Sequence, residues 1–133
     1  MATPKLKIFP RPWFGPRKVL NLQRKEIHGH KVTLQERAMG SLLKVERDLR
    51  KQKVALIVVS SFRSHAEQRR IYDSGVRPAA KPGYSFHEQG VAVDLYVRPK
   101  DSSKTRKAMT AAGWYNFDPV NDSGHWSKKP AKG

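Results

Sequence analysis

No cysteine occurs in the 133 residues. A disulfide framework is therefore excluded, and so are thiolate metal ligands. Any metal must be held by imidazole nitrogen and carboxylate oxygen. Long apolar runs are also missing. No stretch approaches the roughly 18 apolar residues that a membrane-spanning helix needs, so no transmembrane segment is expected. Acidic residues are scarce: 11 Asp and Glu stand against 27 Lys and Arg, for a formal net charge of +16. Such an excess favours polyanionic partners. On composition alone nucleic acid ranks first and an anionic bacterial envelope second. No zinc-finger, RRM or other nucleic-acid signature follows in the sequence, and no specific nucleic-acid partner is expected.

The length suits one compact domain with a modest core. Residues 1–32 are rich in Pro, Lys and Arg with little periodicity, and they read as a basic, Pro-containing N-terminal arm. Val19, Leu20, Leu22 and Ile27 hint weakly at a hairpin there. Thr33 and Glu36 have capping-box spacing, predicting a helix to about residue 51. Leu34, Ala38, Leu42, Val45 and Leu49 would form its buried stripe, with Arg37, Lys44, Arg47 and Lys51 facing water. Residues 54–59 are an apolar, β-branched run that predicts a buried strand. Ser64 and Glu67 make a second capping box for a helix to about Asp73, stopped at Gly75. Pro78, Pro82 and Gly83 predict a loop over 76–86. A strand over 91–97 follows, then a helix capped by Ser102 or Ser103 and ended by Gly113. The expected fold is a small α+β domain over 33–127, its helices packed on one antiparallel sheet. A basic tail, 128–133, closes the chain.

Chemistry concentrates in two segments. The first is Ser85-Phe86-His87-Glu88-Gln89-Gly90-Val91-Ala92-Val93-Asp94. A lone loop histidine ordinarily sits in solvent. Here, however, an Asp lies seven positions on, inside an apolar strand, where it is costly unless paired or metal-bound. A salt bridge to one of the many basic side chains is the plain alternative. The second segment supplies Asp122, His125 and Trp126. Together they offer two imidazoles, a carboxylate ligand and a spare carboxylate. A catalytic zinc site requires three protein ligands, an open position and a base nearby. Asp122, three residues before His125, stands where a general base belongs, with Asp118 as the other candidate. Upstream, Arg63 follows the strand over 54–59 as either a solvated cation or a planar clamp for a carbonyl or carboxylate, and Gln68 lies one turn into the next helix. His28, His30 and His65 read as non-ligands.

The pattern Ser85-x-His87-x-x-Gly90-x-Ala92-x-Asp94, then Asp122-x-x-His125-Trp126, with Ser60-Ser61-Phe62-Arg63 and Gln68 upstream, resembles the VanY-type zinc peptidases. That group holds D-alanyl-D-alanine carboxypeptidases and the L-alanyl-D-glutamate endopeptidases of phage endolysins, on a fold shared with the amino-terminal domain of hedgehog proteins. The resemblance covers roughly residues 33–127. It implies one catalytic Zn2+ held by His87, Asp94 and His125, with Asp122 as general base. It implies substrate contacts from Arg63, Gln68 and Ser85, Arg63 also polarising the scissile carbonyl. Many members have Glu where this chain has Asp122. Asp here is more like the endolysins, and the segment from Gly113 to His125 is compact. The activity so implied is hydrolysis of the peptidoglycan stem peptide, as an L-alanyl-D-glutamate endopeptidase causing wall lysis or as a D-alanyl-D-alanine carboxypeptidase. A basic nucleic-acid-binding protein and a non-catalytic wall-binding module are the readings from other classes. Pro4, Pro10, Pro12 and Pro16 interrupt any signal-peptide core. The chain is thus expected to be made in a host cytoplasm without a signal peptide, and to act after release at the cell wall or periplasm. It is expected to act as a monomer, drawn to the anionic envelope by its basic surface.

Overall fold

The computed structural model describes residues 5–8, 20–76, 82, 85–116, 119 and 123–128. Its elements run β1 (Lys5–Ile8), β2 (Leu20–Ile27), β3 (His30–Gln35), α1 (Glu36–Lys51), β4 (Ala55–Ser60), α2 (His65–Ser74), a 3-10 helix (Phe86–Gln89), β5 (Ala92–Arg98), α3 (Ser102–Ala111) and β6 (His125–Ser127). The strands form two antiparallel three-stranded sheets, β1-β2-β3 and β4-β5-β6, rather than the single sheet expected.

The extra sheet comes from the segment read as an arm. β2 and β3 pair through a two-residue turn in which His28 and Gly29 both have positive φ, 47° and 81°. Those angles match the tight hairpin turn whose twist suits antiparallel strands. Leu22, Ile27 and Val32 are buried. Ordered structure thus begins well before residue 33.

Thr33 does not cap α1. It lies in β3, where its N–H donates to Ser61 Oγ at 3.0 Å and its carbonyl accepts from the Phe62 N–H at 2.9 Å. Those distant partners outcompete the local cap. The helix instead starts after Gln35, which makes no side-chain cap bond. Ala38, Met39, Leu42, Val45 and Leu49 are its buried face. At its end Val54 N–H bonds the Leu49 carbonyl and Lys53 N–H the Arg50 carbonyl, with Lys53 at φ 61°. This is a Schellman ending, closed by the buried pair Leu49 and Val54. α3 ends the same way at Gly113, where Trp114 N–H reaches Met109 and Gly113 N–H reaches Thr110. Its N-cap is Asp101, one residue before the expected serines. The capping box at Ser64 forms with both of its bonds, and Gly75 closes α2 in the left-handed conformation.

One core joins the parts. Ile27, Val32 and Leu34 from the first sheet, the α1 stripe, Leu56, Val58, Val93, Leu95, Val97 and Trp126 from the second sheet, and Met109 and Trp114 from α3 and its ending pack together. In the second sheet these side chains occupy the face towards the helices. Asp94 and Tyr96 alternate onto the other face.

Candidate metal centre

Strand pairing sets the site. Asp94 on β5 lies opposite Ser60 on β4 and opposite His125 on β6. Directly paired residues share a face, so Asp94 and His125 project side by side. The β4 ladder carries one extra residue between Val58 and Ser60. That bulge turns Val59 outward, at 66% exposure. It also re-aims the chain from Ser60 towards the site, as bulges beside functional sites commonly do.

His87 arrives on the 3-10 helix. Ser85 Oγ accepts from the His87 N–H at 3.2 Å, and Gly90 ends the turn at φ 72°. β3 holds this helix from behind. The Gln35 N–H donates to the Gly90 carbonyl at 2.9 Å and Gln35 Nε2 to the Gln89 carbonyl at 2.6 Å. A Cβ on Gly90 would lie 2.7 Å from Leu22 Cδ2, so glycine is needed for both conformation and approach.

His87, Asp94 and His125 each offer a ligand atom within 4.8 Å of the others. His87 Nε2 is 3.3 Å from His125 Nδ1 and 3.4 Å from Asp94 Oδ2, and His125 Nδ1 is 3.0 Å from Asp94 Oδ1. Three donors held at about 2.0–2.1 Å by one tetrahedral zinc lie roughly 3.3–3.4 Å apart, close to the spacing of the two rings and of His87 from Asp94, with one Asp94 oxygen facing each ring. The outer nitrogens are also held: His87 Nδ1 by the Ser61 carbonyl at 2.6 Å, His125 Nε2 by Ser127 Oγ at 3.0 Å. Such outer partners orient metal-binding imidazoles. Burial alone would raise the Asp94 carboxyl. Hydrogen bonds from His125 and His87, and the charge those rings carry when protonated, outweigh it and hold the carboxyl well below the usual carboxylate range. The donor set therefore fits a zinc ion.

The other expected residues fall into place unevenly. Arg63 is 8% exposed, and its guanidinium meets Asp94, Gln68 and Ser60. Gln68, expected at the substrate, is 1% exposed and accepts from Arg63. Ser85, expected likewise, is buried and caps the 3-10 helix. Asp122 and Asp118, the two candidate bases, lie outside the described residues. His28 and His30 are exposed on the hairpin, away from the triad. Sequence reasoning missed the supports: the Ser61 carbonyl, Ser127, and Glu88, whose buried Oε1 lies 2.9 Å from His65 Nδ1. The stretch around it, Ser85-Phe86-His87-Glu88-Gln89-Gly90, is mostly polar, so nothing in the residue identities marked Glu88 as buried.

Known proteins resemble this chain in family and fold. The family model described as VanY, D-alanyl-D-alanine carboxypeptidase, matches residues 31–117, a span that includes His87 and Asp94. No curated protein matches the chain. Among solved structures, VanYB in complex with D-alanine-D-alanine is similar at TM-score 0.68 and 18% identity, covering 91% of this chain and 84% of that one. A mutant of the D,D-pentapeptidase VanY from a VanB-type resistance cassette, in complex with Zn(II), gives TM-score 0.61 and 18% identity, covering 82% and 78%. The D,D-dipeptidase VanXYg gives 0.60 and 20% over 76% of this chain, which spans about half of that enzyme, 52%. At such identities these likenesses establish a common fold. With the family model matching well over half of its residues, the chain belongs to the VanY D-alanyl-D-alanine carboxypeptidase family.

Proposed function

We propose that the chain is a zinc-dependent peptidase that hydrolyses the stem peptide of peptidoglycan, and within that class an L-alanyl-D-glutamate endopeptidase of the endolysin kind. The observation that carries the zinc reading is the triangle of His87 Nε2, Asp94 and His125 Nδ1, in a member of the VanY family. When bound, the ion supplies Lewis acidity and brings the pKa of water towards neutrality.

The chain's own residues supply the rest. His87, Asp94 and His125 hold the ion, and their outer partners keep the ring nitrogens aimed. Asp122 takes a proton from the attacking water and returns it to the leaving amine. Arg63, beside Asp94, places a fixed positive charge where negative charge develops on the scissile carbonyl. The cationic surface draws the protein to the anionic envelope, where it acts at the wall.

The endopeptidase assignment rests on Asp122, where endolysin-type members of the family also have Asp. D-alanyl-D-alanine carboxypeptidase activity is the second reading, favoured by the description of the matching family. Digestion of purified peptidoglycan followed by mass spectrometry separates them. New L-Ala carboxyl and D-Glu amino termini support the endopeptidase. Release of free D-Ala supports the carboxypeptidase. Unchanged peptidoglycan, with zinc present, overturns both.

A further inference from the structure

We propose that Arg63 is a positioning residue for the metal ligands, a task separate from any contact it makes with substrate. The inference rests on the reading of the triad as a zinc centre. Arg63 touches two of the three ligand-bearing elements, the 3-10 helix and β5. Its main-chain N–H donates to the His87 carbonyl at 3.1 Å. Its guanidinium is gripped from three elements: Nε donates to Ser60 Oγ of β4 at 3.1 Å, Nη1 to Gln68 Oε1 of α2 at 3.2 Å, and Nη2 to Asp94 Oδ2 of β5 at 2.8 Å.

A planar group fixed along three directions cannot rotate, and it fixes what it holds. Arg63 holds Oδ2, which also lies 3.4 Å from His87 Nε2, and so fixes the carboxylate with Oδ1 turned towards His125 Nδ1 at 3.0 Å. Without it the carboxylate could swing between its two oxygens. The ion would then have to pay for ordering its own ligand. Gln68 is buried, and its Oε1 accepts from the guanidinium and so sets its plane. The bulge at Val59 matters as well, since it delivers Ser60 opposite Asp94 and Arg63 three residues later. Lysine would preserve the charge but presents a compact ammonium with no fork, so it cannot span Ser60, Gln68 and Asp94 together.

The test uses Zn2+ alone, without peptide. Zinc affinity is measured by chelator competition for the full-length wild type, Arg63→Lys and Gln68→Met, alongside unfolding of each metal-free protein and the visible spectrum of the Co2+-loaded form. The main-chain bond to His87 persists in every variant, so the side chain is what is read. Arg63→Lys should bind zinc about 10–100-fold more weakly, the usual cost of losing an outer-sphere partner, with Gln68→Met weaker in the same direction and both Co2+ spectra altered. A purely structural role would lower the unfolding midpoint while leaving zinc affinity and the Co2+ spectrum of the folded protein alone, and would overturn the proposal. Should Arg63→Lys fail to fold, Gln68→Met decides: affinity within about twofold of wild type overturns the role. A wild type that binds no zinc overturns the metal reading itself, and this role with it.

Discussion

His87 Nδ1 lies 2.6 Å from the carbonyl oxygen of Ser61. A carbonyl only accepts, so Nδ1 carries a proton and Nε2 is the ring nitrogen left facing Asp94 and His125. His125 is turned the other way. Its Nδ1 faces the triad and its Nε2 meets Ser127. The two imidazoles therefore present different nitrogens to one point, and each is fixed by a partner on its far side.

Metal binding follows directly. The wild type should hold about one zinc per chain after dialysis, as a single three-ligand site would. His87→Ala should lose both the metal and hydrolysis. Full activity in excess chelator, after metal analysis confirms removal, would sink the zinc reading.

The base is tested apart from the metal. Asp122→Asn should keep zinc but lose roughly 10²–10⁴-fold in turnover, since the amide cannot accept the proton. If steady-state kinetics leave it near wild type, the base lies elsewhere, and Asp118 is the next position to substitute.

Acid should act on the metal-free fold through Asp94. Its folded-state carboxyl titrates below the usual range, so its stabilising contribution is complete above about pH 4 and is lost as the pH falls towards the depressed value. Thermal unfolding of the metal-free protein should weaken across that acid window, and Asp94→Asn should weaken less steeply. Equal slopes for the two proteins would contradict this.

Charge should separate docking from chemistry. Lys44, Arg47 and Lys51 are exposed on α1. Attraction between exposed charges is screened over about 10 Å at 0.1 M salt and about 3 Å at 1 M. Pull-down on intact walls should fall steeply with salt and on changing these residues to Ser. Cleavage of a small soluble stem peptide should fall much less. Parallel salt curves in the two assays would reduce the cationic surface to a solubilising role.

Gly90 is the backbone position with least tolerance beside the site. Gly90→Ala forces a side chain into a left-handed conformation, a cost of about 1–2 kcal/mol, and sets its Cβ against Leu22 and the Gln35 backbone. A lowered urea midpoint with weakened zinc binding is expected. An unchanged midpoint would mean that the first sheet does not brace the His87 turn.

The sequence made some of this legible because local and tertiary demands agree. Ser64 and Glu67 meet no competing side-chain partner among the described residues, and their capping box formed. Alternation along β5 placed Asp94 on the face away from the core, and strand pairing brought His125 beside it. Thr33 and Glu36 carried the same local signal, yet Thr33 bonds Ser61 and Phe62, which are near only in the fold. The β2–β3 hairpin was obscure because its turn is His-Gly rather than the usual Asn-Gly, and because buried Leu22 and Ile27 do not keep strict alternation. The Ser61 carbonyl could not be read at all, since a backbone acceptor leaves no mark in residue identity.

β2 is the middle strand of the first sheet, flanked by β1 and β3. Cutting away residues 1–18 to remove basic charge would also remove β1, which pairs with β2 from Leu20 to Gln23. One side of β2 would then show unpaired N–H and C=O groups, a ready template for joining a second molecule strand to strand. Such a shortened protein should be aggregation-prone, and a drop in its recovery or wall binding would report self-association rather than lost electrostatics. Charge is therefore better removed residue by residue than by truncation.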